Sequence, residues 1–136
     1  AVSVLDKLGI VDYLCFGSEC GDASKLLNVA CFLTNEPFEY RELLQNYLMQ
    51  GLSFPSAQEA ALHACTDNET ATLLSTPNNR LGIEYCKALL KMDSSITPLS
   101  ILREGLGYHD ETLCEEDSTL YCSASAVCQL FHHHLL

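Results

Sequence analysis

The stretch SAQEAALHAC, residues 56–65, carries the clearest helix signal in the sequence. Ser56 and Glu59 have the spacing of a capping box, in which a serine hydroxyl and a glutamate carboxylate satisfy free amides at the start of a helix. The alanines that follow are strong helix formers, and their small side chains predict a close contact with another helix. Cys65 ends the stretch on the same apolar stripe. The segment therefore predicts a helix that packs tightly and places a cysteine in the core.

Helical spacing of apolar residues continues on both sides of this stretch, and strand-like alternation is nearly absent. A second helix is expected to begin at an Asp22 cap, and a short one at Thr97-Pro98 that runs to Leu102. The remaining helices are predicted over residues 2–16, 37–50, 69–74, 80–92 and 118–132. The predicted fold class is all-α, a compact bundle of about six to seven short helices.

The chain of 136 residues has the length of one ordinary domain. No linker longer than about ten residues interrupts the pattern. We expect a single helical domain over residues 1–136. Because the sequence begins at Ala1 rather than at a methionine, we interpret it as a mature chain from which a signal peptide has been removed.

The sequence contains eight cysteines and no Cys-x-x-Cys pair. An even number at dispersed spacing predicts a disulfide framework that crosslinks the helices, with a pairing that the sequence does not determine. Disulfides persist in oxidising compartments, so we expect a secreted protein. Asn68-Glu69-Thr70 is a candidate N-glycosylation acceptor. The alternative is a cytosolic protein with eight buried free thiols. The cysteines are Cys15, Cys20, Cys31, Cys65, Cys86, Cys114, Cys122 and Cys128.

Acidic residues outnumber basic ones by 18 to 7, which gives a formal net charge of −11. Nucleic-acid binding needs a basic surface that displaces counterions, and the seven basic residues are scattered. An anionic membrane surface would repel the chain, and no apolar run reaches the length of a membrane span. The charge therefore predicts neither a nucleic-acid partner nor membrane insertion.

Motifs of catalysis are absent from the sequence. It has no Gly-x-Ser-x-Gly element, no glycine-rich phosphate loop, and no serine or cysteine with a recognisable histidine partner. The acidic run at residues 110–117 contains no glycine, which favours a solvated loop over a calcium site. His132, His133 and His134 lie at the C-terminal end of the last predicted helix, where cations are favourable, and a metal site with Cys128 is the less favoured interpretation. We expect no enzyme, no metal and no cofactor.

Part of the sequence resembles the secretoglobins. The residues that carry the resemblance are Phe32-Leu33-Thr34, Pro37, Glu39-Tyr40 and Tyr47, framed by Cys20, Cys65 and Cys86. They cover about half of the chain. Secretoglobins are small secreted helical proteins that form disulfide-linked dimers around an apolar cavity. The resemblance implies a similar cavity between helices in this chain.

Two functions remain as hypotheses. The first is a secreted, non-enzymatic protein that binds a protein partner or associates with itself in a larger assembly. The second is an extracellular carrier of an apolar small molecule, held between helices as in a secretoglobin-like cavity. In the second case the expected lining residues are Phe16, Phe32, Phe38 and Tyr47.

Overall fold

A computed structural model describes residues 2–103, which form six helices and two parallel strands. The described residues up to Leu102 pack as one compact unit. In chain order the elements are α1 (Val2–Leu8), β1 (Tyr13–Ser18), α2 (Ala23–Asn35), α3 (Phe38–Met49), α4 (Phe54–Cys65), α5 (Asn68–Thr72), α6 (Pro77–Lys91) and β2 (Thr97–Leu102). The predicted all-α class is therefore wrong. The helix predicted over 118–132 lies outside the described residues, and the single domain over 1–136 stays a prediction.

The two strands pair in parallel, with Tyr13 opposite Thr97 and Ser18 opposite Leu102. Parallel strands require a crossover connection because both run in the same direction. In this chain the connection contains the five helices α2–α6. Each strand therefore finds its hydrogen-bonding partner about eighty residues away in the sequence, a pairing that no local pattern contains.

Both strands lie where the sequence predicts helices. The first helix ends at Leu8 rather than at residue 16, and Gly9 adopts a left-handed φ of +65° directly after it. Leu14 and Phe16 then face inward in a strand, although Leu8, Val11, Leu14 and Cys15 also have the spacing of a helix. Thr97-Pro98 has the composition of a helix start, but it opens β2. In both cases a non-local backbone pairing overrides the local signal.

The predictions for the connecting helices are closer to the structure. Asp22 caps α2 as expected, and its carboxylate accepts hydrogen bonds from the amides of Ser24 and Lys25. Helix α4 starts earlier than the capping box indicates, because Ser53 rather than Ser56 is its N-cap. The hydroxyl of Ser53 accepts a hydrogen bond from the amide of Ser56. The sequence therefore predicted the correct type of N-cap, a serine hydroxyl, but the N-cap residue lies three positions earlier than predicted.

The main core lies among helices α2–α6, and residues such as Leu26, Leu62 and Ile83 are fully buried in it. Helix α6 approaches β1 and α2 closely at Gly82. A Cβ atom at this position would lie 2.5 Å from Phe16 Cε2 and 2.9 Å from Leu26 Cδ1. Helix α6 is thereby held against the inner face of the sheet.

The outer face of the sheet is apolar and exposed. Tyr13, Leu99 and Ile101 are 62%, 45% and 61% exposed. Parallel sheets normally bury both faces, and two strands alone make a weak sheet. This face therefore has the composition of a covered surface. No helix within residues 2–103 is long and apolar enough to cross a membrane.

The five cysteines among residues 2–103 are free thiols. The predicted bundle crosslinked by disulfides is therefore wrong. Cys86 is fully buried and packs as a small apolar residue of the main core, the alternative interpretation of these cysteines. The free cysteines are Cys15, Cys20, Cys31, Cys65 and Cys86, while Cys114, Cys122 and Cys128 lie outside the described residues.

Candidate functional site

The loop between β1 and α2, residues 18–22, lies at the carboxyl end of the sheet. In open α/β sheets, ligands bind outside the carboxyl ends of the strands, because the loops there are free to carry functional groups. The first turn of α6, residues 77–79, meets this loop through several hydrogen bonds. These two segments form the candidate site.

Ser18 anchors the loop to the sheet. Its side chain is fully buried, and its hydroxyl shares a hydrogen bond of 2.5 Å with the hydroxyl of Ser100 on β2. The same hydroxyl oxygen accepts a hydrogen bond from the amide of Gly21 at 2.9 Å. A buried hydroxyl is costly unless it is hydrogen-bonded, and these contacts satisfy it. One side chain thus joins both strands to the loop.

Gly21 allows the loop to turn directly over the end of β2. Its φ is +64°, and a Cβ atom there would lie 2.8 Å from Cβ and 3.0 Å from Cα of Leu102. A side chain at this position would therefore be strained in conformation and would also collide with backbone. The close approach sets the height of the loop above the strand end.

Glu19 connects the loop to α6. Its Oε1 accepts hydrogen bonds from the side-chain amide of Asn78 at 2.7 Å and from the backbone amide of Asn78 at 3.3 Å. Its Oε2 accepts from the backbone amide of Asn79 at 2.8 Å. Thr76, the N-cap residue of α6, makes no capping bond with its own side chain. Glu19 therefore caps α6 from a distant part of the chain.

The pKa of Glu19 reflects this environment. Burial raises the pKa, but the hydrogen bonds from the Asn78 side chain and from the amides of Asn79 and Asn78 outweigh it. The pKa therefore lies below its ordinary value of 4.5. A carboxylate that accepts several hydrogen bonds is favoured in its charged form. Glu19 is consequently an anion at neutral pH.

Several amide donors at this edge are already engaged. Asn79 Oδ1 accepts from the amide of Cys20, and Glu19 and Asp22 occupy the starts of α6 and α2. Helix N-termini commonly bind phosphate, but here two carboxylates fill them and oppose a second anion. The described part of the site is therefore suited to neutral polar groups of a ligand, such as hydroxyls and amines.

The residues predicted to line an apolar cavity do not gather around one. Phe16, Phe32 and Tyr47 pack against the main core, whereas Phe38 is 71% exposed. The aromatic neighbours of Phe16 and Phe32 are Tyr85 and Tyr40. A groove of about 410 Å³ beside α1 is lined by other residues, namely Val2, Ser3, Glu84, Tyr85, Ala88, Lys91 and Met92.

The two other predicted sites are the glycosylation acceptor at Asn68 and a metal site near the end of the chain. Asn68 is exposed at the start of α5, where its Oδ1 lies 2.8 Å from Nε2 of His63, and its glycosylation stays a prediction. The metal-site interpretation of Cys128, His132, His133 and His134 concerns positions outside the described residues.

Sequence reasoning assigned no ligand-binding role to any member of the candidate site: Asp22 was predicted only as a helix cap, and Cys20 only as a disulfide cysteine. The signal lies in residues 13–22, where an apolar run, YLCF, is followed by small and acidic residues and then by a helix cap. This order is typical of a strand, a ligand-binding loop and a helix. Asn78 and Asn79 carry no local signal beyond that of a turn.

Comparison with known families decides the class of protein. The sequence model of a family described as HIGH Nucleotidyl Transferase matches residues 1–135. The chain belongs to this family. Its fold is nucleotidyltransferase-like, a Rossmann-like α/β arrangement with parallel strands, and the sheet described above agrees with it.

Two similar proteins share one name. The chain is 46% identical over 133 residues to a tRNA(Met) cytidine acetate ligase of Clostridium botulinum (strain Langeland), which covers 93% of the chain and 32% of the relative. It is 44% identical over 136 residues to a tRNA(Met) cytidine acetate ligase of Halothermothrix orenii, with coverage of 93% and 31%.

Solved structures agree with these relatives. The crystal structure of apo Thermotoga maritima TmcAL is 34% identical, has a TM-score of 0.87, and covers 98% of the chain and 32% of that protein. The form bound with alpha-thio ATP is 32% identical, has a TM-score of 0.81, and covers 99% and 31%. The chain spans about a third of the length of the relatives that it matches.

The family overturns the functional predictions. The chain belongs to a family of enzymes, so the expectation of a non-enzymatic secreted binding protein is wrong, and so is the alternative of an apolar carrier. The resemblance to secretoglobins was a coincidence of amphipathic helices, and the three cysteines that framed it are free thiols. Similar helical spacing arises wherever a helix buries one face.

The exclusion of nucleic acid and the secreted location are wrong as well, since the relatives are named for action on tRNA. The charge argument treated 136 residues as a whole protein, whereas they correspond to a third of each relative. The net charge of a segment does not fix the charge of a surface formed elsewhere in an enzyme. The expected signal-peptide removal and protein partner lose their basis together with secretion.

Proposed function

We propose that the chain acts as part of an ATP-dependent ligase that joins acetate to a cytidine of tRNA(Met). The supporting observation is the hydrogen-bonded loop at the carboxyl end of two parallel strands, in a chain whose fold matches a relative bound with alpha-thio ATP. The substrates named here are those in the names of the relatives.

Nucleotidyl transfer gives this ligation a chemical route. An acetate oxygen attacks the α-phosphorus of ATP, the bond to the β-phosphate oxygen breaks, and pyrophosphate leaves. The resulting acetyl adenylate is a mixed anhydride. The cytidine amine then attacks its carbonyl carbon, AMP leaves, and the amine loses a proton. Each step requires reactants held in alignment, which is the task of a rigid site.

The described loop fits the nucleoside end of ATP better than the phosphates. The loop amides of Cys20 and Gly21 are engaged within the protein, and Glu19 and Asp22 place negative charge at the two helix starts. Charges of like sign in a protected site repel each other. We therefore assign base and ribose contacts to this edge, and phosphate contacts to other parts of the enzyme.

The bare outer face of the sheet supports the same proposal. The relatives are about three times as long as the chain, so further segments are available to cover Tyr13, Leu99 and Ile101. Both faces of a parallel sheet are usually covered by other parts of the protein. We propose that β1 and β2 belong to a larger sheet in the working enzyme, inside the cell where tRNA is found.

A product analysis tests the function. The full-length protein that carries this chain is incubated with ATP, labelled acetate and tRNA(Met). We expect label in the tRNA only when ATP is present, together with AMP and pyrophosphate. Formation of ADP and phosphate instead would contradict nucleotidyl transfer. An unlabelled tRNA in the presence of all three substrates would contradict the ligase assignment.

A further inference from the structure

Glu19 joins the loop at the end of β1 to the first turn of α6, which lies far from it in the sequence. Both of its carboxylate oxygens accept hydrogen bonds from the first turn of a helix of 15 residues, 59 and 60 positions later in the chain. A carboxylate at a helix start stabilises the helix and is itself held there by charge-assisted bonds. The position of Glu19 is thereby fixed from both sides.

The contact is reciprocal. Asn79 is 4% exposed, and its Oδ1 accepts a hydrogen bond from the amide of Cys20 at 3.0 Å. Glu19 binds the backbone of Asn79, and the side chain of Asn79 binds the backbone of the residue after Glu19. We call this pair of contacts the Glu19–Asn79 clasp. It ties the loop at the strand end to the start of α6.

The clasp also orients Asn78. The side-chain NH₂ of Asn78 donates to Glu19, so the free hydrogen-bonding capacity of this half-buried amide is mainly its carbonyl oxygen. The loop and the Asn78 amide are the polar groups at the carboxyl end of the sheet that Glu19 controls. Loss of its negative charge would free both at once.

We propose that Glu19 is a positioning residue for the nucleotide site. It holds the loop of residues 18–22 and the amide of Asn78 in the arrangement that ATP requires, without touching ATP itself. The inference rests on the proposed function and deepens it. Precise sites depend on such supporting contacts behind the groups that meet the ligand. The clasp therefore sets ATP affinity rather than the affinity for tRNA.

The test uses Glu19→Gln in the full-length protein, with Glu69→Gln as the matched control. Glu69 is exposed on α5, and its carboxylate pairs with the ammonium group of Lys25 rather than with a residue of the loop. Losing the charge-assisted hydrogen bonds of Glu19 disfavours the ordered arrangement of the loop by a factor of about ten or more. The affinity for ATP falls by the fraction of the protein that leaves this arrangement. We expect Glu19→Gln to raise the apparent KM for ATP by about tenfold, with the KM for tRNA within about twofold of wild type. Glu69→Gln should leave both values within about twofold.

A purely structural role predicts another pattern. Partial unfolding lowers the amount of active enzyme, so Vmax falls while both KM values stay unchanged. That result overturns the positioning role, as does an equal rise in the KM values for ATP and tRNA. If Glu19→Gln does not fold, Glu19→Asp provides the second variant, because it keeps the charge but shortens the reach. We expect a smaller rise in the KM for ATP alone, and an unchanged KM overturns the inference.

The two proposals fail differently. A folded wild-type protein that neither binds nor consumes ATP overturns the proposed function, and the positioning role falls with it. A wild-type protein that is active, together with a folded Glu19→Gln of unchanged KM for ATP, overturns only the positioning role.

Discussion

Replacing Gly21 by alanine probes the contact that sets the height of the loop over β2. Two costs combine. A left-handed conformation costs a non-glycine residue about 1–2 kcal/mol, and the new Cβ would lie 2.8 Å from Cβ and 3.0 Å from Cα of Leu102. Because Leu102 presents backbone there, relief requires a shift of the strand end, and such overpacking costs about 1–3 kcal/mol. We expect Gly21→Ala to lower the free energy of unfolding by about 2–5 kcal/mol.

Gly9→Ala is the matched control. Gly9 has nearly the same φ, +65°, but nothing lies within 4 Å of the position that a Cβ atom would take there. It therefore carries only the conformational cost of about 1–2 kcal/mol. Both variants lose the same flexibility in the unfolded chain, so that contribution cancels in the comparison.

Urea unfolding followed by circular dichroism measures the difference between the two variants. A larger loss for Gly21→Ala would support the close packing of the loop on Leu102. Equal losses for the two variants would show that the loop does not press on the end of β2, and the geometry of the candidate site would then be wrong.

Three further predictions concern the core, acid stability and the thiols. Gly82→Ala gains about 1 kcal/mol of helix propensity, but its Cβ would crowd Phe16 at a cost of about 1–3 kcal/mol. We therefore expect the free energy of unfolding in urea to fall by up to about 2 kcal/mol, and a stabilised variant would contradict this packing. Because the pKa of Glu19 is lower in the folded protein than in the unfolded chain, its charged form stabilises the fold. This stabilisation is complete above the ordinary carboxyl pKa and is lost as the pH falls through the pKa of the folded protein. The stability difference between wild type and Glu19→Gln should therefore shrink between about pH 5 and pH 3, and a constant difference would refute it. In the native protein without reductant, exposed Cys31 should react rapidly with iodoacetamide. Burial raises the pKa of Cys86 to about 11, so Cys86 should stay unreacted until the protein unfolds. Peptide mass mapping that shows equal modification of the two cysteines, or either cysteine in a disulfide, would contradict the structure.

Local sequence determined most of the helices that connect the strands. Asp22 predicted the start of α2 because an aspartate carboxylate can satisfy the first free amides of a helix by itself. The helix predicted over residues 37–50 corresponds to α3, and Gly51 directly after it adopts a φ of +90° that suits only glycine well. These signals act within a few residues, so they survive whatever the rest of the chain does.

The sheet and the site depended on tertiary structure. β1 and β2 are about eighty residues apart, and each taken alone also fits a helix, so only their pairing decides the conformation. Glu19 is separated from Asn78 and Asn79 by 59 and 60 residues, and nothing near it in the sequence indicates that it caps another helix. The cysteine count was equally ambiguous, since free thiols and disulfides share one composition and differ only in which residues meet. Short-range capping and periodicity were therefore readable from the sequence, whereas contacts between distant segments, which create the class of fold and the site, existed only once the chain had folded.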